Sequence, residues 1–159
     1  MTVLWSSLAG GFLGTLALST MLRSAGELGF TRMDLPFLLG TSVTDNRRRA
    51  KVYGYLFHFT LGLCFAVLYG ICFAAIGRSG WWVGALVGAL HALFTSTVLV
   101  NIVLPVIHRR IGTPETAANE IALIEPPGFL MLNYGRNTFL VTLIAHMAYG
   151  AIVGWAVRI

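Results

Sequence analysis

Four histidines (His58, His91, His108 and His146) and two loop acids (Asp34 and Glu125) are the residues of this chain with most chemistry to offer. Three of the histidines interrupt apolar runs. His58 stands in YGYLFHFTLGLCFAVLYG (53–70), and His91 and His146 stand in stretches of similar character. An imidazole in such a place has three uses. It can hydrogen-bond a neighbouring helix, for about 0.6 kcal/mol on average inside a membrane. Imidazoles on facing helices can ligate haem iron or, with a carboxylate, a transition metal. Ionisable groups inside a bundle can also mark a proton or ion path, with Asp34 and Glu125 as acceptors at its mouth. The plainer roles are interhelical bonding for the histidines and turn capping before proline for the two acids.

The elements that carry these residues follow from composition. The chain has 159 residues, of which 57% are hydrophobic and 11% charged. A soluble domain is about a quarter charged, so this chain is a membrane protein by class. A spanning helix needs about 20 predominantly apolar residues, and four stretches qualify, at 3–22, 52–76, 81–107 and 138–157. The expected fold is all-α, a single domain (1–159) forming an integral membrane bundle of four transmembrane helices. Nothing before Arg23 is charged except the α-amine. The first stretch therefore lacks the basic start of a signal peptide and is expected to span.

Four spans put the loops 23–51 and 108–137 on one side. They carry nine basic residues (Arg23, Arg32, Arg47, Arg48, Arg49, Lys51, Arg109, Arg110 and Arg136), against Arg78 and Arg158 on the other. Lys and Arg favour the cytoplasmic side, so these are expected to be cytoplasmic loops, with both termini periplasmic. Trp5, Trp81, Trp82 and Trp155 fall at the opposite ends of the helices, where an aromatic belt belongs. The net charge of +5 is thus a topology signal. The run Arg47, Arg48, Arg49, Ala50, Lys51 is placed to meet anionic headgroups. No separate soluble domain exists to carry nucleic-acid binding.

Lipid supplies no hydrophobic drive between helices, so small residues at helical spacing mark packing faces. Gly10 and Gly14, Gly84 and Gly88, and Gly150 and Gly154 are such pairs, and Gly54, Gly62 and Gly70 recur every eight residues. His58 lies midway between Gly54 and Gly62 on that face. His91 lies three residues after Gly88, with Thr95 continuing the stripe, and His146 begins the stripe of Gly150 and Gly154. All three are expected to point into the bundle near mid-membrane, where they form the candidate cofactor-binding set. His108, beside Arg109 and Arg110, reads as interfacial. Cys64 and Cys72 lie too far apart on one helix to bridge and are expected to pack as small apolar residues.

A faint repeat runs through the chain. DLPFLL (34–39) precedes HFTLG, and EPPGFLML (125–132) precedes HMAYG, so Asp34 pairs in role with Glu125 and His58 with His146 in a 2+2 pseudo-repeat. Thr113 and Pro114 are expected to start a short surface helix with Ala117, Ile121 and Ile124 on one face, away from Glu115 and Asn119. That helix should stop before Pro126. MDLPFLLG (33–40) is apolar enough to dip into the interface. No glycosylation acceptor, lipidation signal, P-loop, nucleophile elbow or Cys-x-x-Cys pair is present.

Through GGFLG (10–14), Asp34–Pro36, HFTLG (58–62) and HMAYG (146–150), nearly the whole chain resembles small uncharacterised inner-membrane proteins of bacteria. These are four-helix families filed under domain-of-unknown-function headings, YagU-like ones among them. The resemblance implies a bacterial inner (cytoplasmic) membrane location and carries no catalytic residues over. Glycine faces in excess of what four helices need, with little mass outside the membrane, point to a non-enzymatic accessory subunit of a larger complex or a homo-oligomer. The alternatives are a histidine site for haem or metal, or a proton or ion path.

Overall fold

Thr2 caps the first helix, α1 (Val3–Glu27). Asp34 caps a short α2 (Leu35–Gly40). The side chain of Asn46 accepts from the amides of Arg48 and Arg49 at the start of α3 (Arg47–Ile76). α3 ends at Gly77, whose φ of 63° supplies the left-handed residue that closes a helix without steric cost. α4 (Trp81–Phe94) runs on through a π-helical stretch, Thr95–Val103, into α5 (Leu104–Ile107). A 3-10 turn at Phe129–Tyr134 precedes α6 (Thr138–Ala156). This computed structural model describes residues 2–108, 110–111 and 124–159. Among them the secondary structure is helical apart from one isolated bridge between Ile111 and Ile124.

Four helical spans are long and apolar enough to cross a membrane: Val3–Glu27, Arg47–Ile76, Trp81–Ile107 and Thr138–Ala156. Two of them reach further into the charged loops than hydropathy suggests. Arg23 lies inside α1 and pairs with Glu27 one turn on, at 2.9 Å. Arg47–Lys51 form the first turn of α3 instead of a loop. A helix N-terminus disfavours cations. Here the Asn46 cap, the Lys51–Asp34 ion pair at 3.1 Å and the Arg47 guanidinium over the Phe37 ring offset that cost.

Glycine decides how the spans meet. A Cβ at Gly84 would overlap the Gly150 carbonyl, and one at Gly88 would overlap that of His146. Gly154 stands against Gly80 and Gly84, Gly10 against Val153 and Ala156, and Gly14 against Tyr149. Gly62 stands against Thr15, Gly70 against Ser7 and Gly54 against Pro36 of α2. In each span-to-span pairing one number rises as the other falls, so the spans alternate in direction. α4 packs most closely on α6, α6 on α1, and α1 on α3. α3 and α4 share no comparable backbone contact among the described residues, although one turn joins them. The spans therefore follow one another in the order α3, α1, α6, α4, and α3 meets α4 through side chains, Phe65 and Tyr69 on His91. Trp5, Trp81, Trp82 and Trp155 are all exposed at the end that holds the termini.

The π stretch has local causes. Pro105 has no N–H, and its ring crowds the carbonyl four residues back. The Asn101 amide donates to the carbonyls of Ser96 and Thr97, at 3.0 Å each. The two segments aligned as a repeat fold differently. LPFLLG is a helical turn seated on the start of α3. FLMLNY instead turns through left-handed backbone at Leu130 (φ 52°) and Met131 (φ 57°). Of the surface helix expected from Thr113, the residues before Ile124 lie outside the described residues, and Ile124 itself forms the bridge. Cys64 and Cys72 face outward instead of packing within the bundle.

Gly84→Leu is expected to destabilise the bundle by about 1–3 kcal/mol through overpacking. Gly26→Ala, where a Cβ meets only the Thr31 carbonyl at 3.9 Å, should stay within about 0.5 kcal/mol. Unfolding in mixed micelles compares the two, and equal losses would dismiss the backbone contact as the cause.

Candidate functional site

The three intramembrane histidines line one chamber of about 70 Å³. Each is brought there by a different span. His146 is buried, and its Nδ1–H donates to the Thr142 carbonyl at 2.9 Å. In the neutral ring that leaves Nε2 with its lone pair. His91 lies edge-on to His146 with ring centroids 4.9 Å apart, packs on Phe65 at 4.0 Å, and is hydrogen-bonded through Nδ1 to the Tyr69 hydroxyl at 3.1 Å. His58 faces the same space, and its Nε2 is buried with no hydrogen-bond partner among the described residues. Leu18, Leu61 and Leu99 supply apolar wall, and Met131 reaches the chamber from its left-handed turn, with Thr142 Oγ1 3.8 Å from its sulfur.

Toward the termini the chamber is closed. Tyr149 crosses from α6, between Gly14 and Gly62, and donates its hydroxyl to the Gly62 carbonyl at 2.5 Å. Tyr69 packs edge-on against Tyr149 and against the fully buried Phe73. This aromatic layer explains Gly14, where a Cβ would meet the Tyr149 ring, whereas one at Gly62 would meet Thr15.

Toward the loops the chamber leads to a second, larger cavity of about 590 Å³. α1 and α3 touch through Ser7, Gly11 and Thr15 against Gly70, Ala66 and Gly62, then part, and this vestibule fills the wedge between them. Arg23, Glu27, Arg32, Asp34 and Lys51 line its outer part. Leu22, Met33, Leu35 and His58 line both cavities and form the neck between them. Ser19 Oγ, on the vestibule wall, is buried and also lacks a hydrogen-bond partner among the described residues.

The loop acids do not enter the chamber. Asp34 accepts from the Phe37 amide at 3.1 Å as the α2 cap, and pairs with Lys51. Glu125 pairs with Arg32 at 3.5 Å. Arg32 also donates to the Asn133 carbonyl, its amide donates to the Tyr134 carbonyl, and Thr31 meets Thr138, so the two loops are clasped together. Burial, with the Glu125 charge adding to it, pushes the Tyr134 hydroxyl up to about 12, which keeps it a donor to the Glu125 carbonyl.

His108 is no interfacial side chain. It is fully buried, its Nε2 donates to the Leu38 carbonyl at 2.9 Å beside Thr41 Oγ1 at 3.1 Å, and its Nδ1 accepts from the Arg110 amide. It ties the end of the third span to α2. Position beside arginines concealed this, because its partners come from a distant loop. Ser19, Thr142, Tyr69 and Tyr149 also escaped the sequence reading. The last was visible in principle, one helical turn after His146 on the same stripe.

Among the described residues no three His, Cys, Asp or Glu side chains gather closely enough to hold a metal ion. No family model, curated protein or solved structure matches the chain.

Burial holds the His108 imidazole below its ordinary value, only partly countered by its bond to Leu38. The unfolded chain, near 6.5, then binds the proton more readily than the folded one. The folded state should keep its full stability above about pH 6.5 and lose it as pH falls toward the lowered native value. His108→Asn should flatten that part of the curve, read as thermal unfolding in detergent from pH 8 to 5. An unchanged slope would remove His108 as its source.

Proposed function

We propose that the chain is a multi-pass protein of the bacterial inner membrane, both termini outside, that binds a small hydrogen-bonding molecule among His58, His91 and His146. One observation carries the reading. His58 stands in the neck between a polar vestibule and an apolar chamber, with its Nε2 unpartnered among the described residues. Buried polar groups are normally satisfied, and an apolar pocket with a few convergent polar groups is the usual form of a ligand site. The excess of arginine at the vestibule end supports placing that end in the cytoplasm. The resemblance to bacterial four-helix proteins supports the membrane named. In the 2+2 pseudo-repeat, His58 and His146 are counterparts that meet across the chamber.

The size of the chamber favours a small ligand over haem, since at about 70 Å³ it is far below the roughly 300–1,000 Å³ of drug-sized pockets. The aromatic layer of Tyr69, Phe73 and Tyr149 favours a dead-ended pocket over a proton or ion path. A non-enzymatic accessory subunit or homo-oligomer is the second reading, and the small mass outside the spans supports it. Against it, the glycines of the packing faces meet neighbours within the chain.

Native mass spectrometry of protein released gently from its own membrane tests both readings. A bound small molecule near one per chain, reduced about tenfold in His58→Leu and His146→Leu of unchanged fold, is the expected result. Folded protein without any such mass would rule the binding reading out. Co-purifying subunits or further copies of the chain would support the second.

A further inference from the structure

The wedge between α1 and α3 is graded from charged to apolar along a single line. At its outer end stand Arg23, Arg32 and Lys51, opposed by the carboxylates Glu27 and Asp34. The lining therefore carries one more positive charge than negative, because the carboxylate paired with Arg32 is Glu125, which lies outside it. Each of the ion pairs Arg23–Glu27, Arg32–Glu125 and Lys51–Asp34 is substantially exposed. Pairs of that kind contribute little, so a ligand's anionic group can replace a carboxylate partner at small cost. One step deeper, Ser19 Oγ and His58 Nε2 are both buried and unpartnered among the described residues. Beyond the neck, Leu18, Leu39, Leu61 and Leu99 supply apolar wall around the His91 and His146 rings.

We infer that the ligand is an anion-headed amphiphile, its phosphate or carboxylate among Arg23, Arg32 and Lys51 and its apolar end past His58 in the chamber. This rests on the binding reading above and specifies the ligand class. The vestibule, at about 590 Å³, has the size of an ordinary ligand pocket. Only a short apolar segment fits the chamber, so the rest of a longer tail lies along Leu22, Met33 and Leu35 in the inner part of the vestibule. Charge-assisted bonds from the cations hold the head, and Ser19 and His58 bond the polar atoms that join head to tail.

The test uses the full chain in phosphatidylcholine nanodiscs, with dodecyl phosphate, 1-dodecanol and inorganic phosphate as probes and the thermal unfolding midpoint as the readout. Dodecyl phosphate should raise the midpoint saturably and bind more than tenfold tighter than either other probe. Lys51→Gln and Arg23→Gln should each weaken it about tenfold, the loss of one charge-assisted contact. Arg48→Gln, on the same rim but outside the vestibule, should not. Leu61→Trp, which narrows the chamber, should weaken dodecyl phosphate and leave inorganic phosphate unchanged.

If inorganic phosphate reproduces the whole shift, the site takes a free anion and the amphiphile is overturned. Equal weakening by Arg48→Gln would reduce the effect to surface adsorption and overturn it too. If 1-dodecanol matches dodecyl phosphate and both depend on His58, the chamber still binds ligand but the anionic head is wrong. If no probe binds saturably to folded protein, this inference and the binding reading fall together.

Discussion

Backbone contact between α4 and α6 is the constraint on which the rest depends. With Gly84 against Gly150 and Gly88 against the His146 carbonyl, the two helices approach more closely than side chains would allow. In lipid such contact replaces the hydrophobic drive that packs helices in water. It also sets the chamber. His91, which follows the glycines of α4, and His146, which precedes those of α6, are brought edge to face by this close approach. α1 then packs on α6 through Gly10 and Gly14, and α3 joins on the far side of α1. The seam left between α3 and α4 is spanned by side chains, with Phe65 and Tyr69 meeting His91.

Hydroxyls on the spans, buried and outward-facing alike, mostly look after themselves. Thr15, Thr20, Thr60, Ser96 and Thr97 each donate to the carbonyl four residues back, the usual retreat of a hydroxyl in an apolar helix. Against that background Ser7, Ser19 and His58 stand out, each with a buried polar atom that has no partner among the described residues. Ser7 faces Gly70 where α1 and α3 touch, whereas Ser19 and His58 lie where the two helices have parted and line the vestibule.

The four spans and the inward histidines were legible because length and apolarity identify a span, and glycine at helical spacing identifies its packed face. His58, His91 and His146 sit on those faces and meet in one cavity. The helix ends were less legible: Arg23 and Arg47–Lys51 are helical, and long basic side chains can leave a helix sideways toward water, so charge alone does not end one. His108 was misread because its partners, Leu38 and Thr41, come from a loop whose fold is invisible locally. Glycine spacing does not reveal which element each position meets. Gly54, for one, receives the Pro36 backbone of the six-residue α2.

The π-helical stretch Thr95–Val103 has a consequence for how the chain tolerates changes in length. Each of its turns holds one residue more than an α-helical turn. Removing a residue there lets the ladder relax to the α form while α4, upstream, keeps Gly84 and Gly88 on α6. The same deletion inside Trp81–Phe94 has no slack to draw on. It would rotate every later position by about 100°, turning His91 away from His146. The third span therefore joins a stretch whose residue count is rigid to one whose count is forgiving, and the boundary falls at Thr95, on the chamber wall.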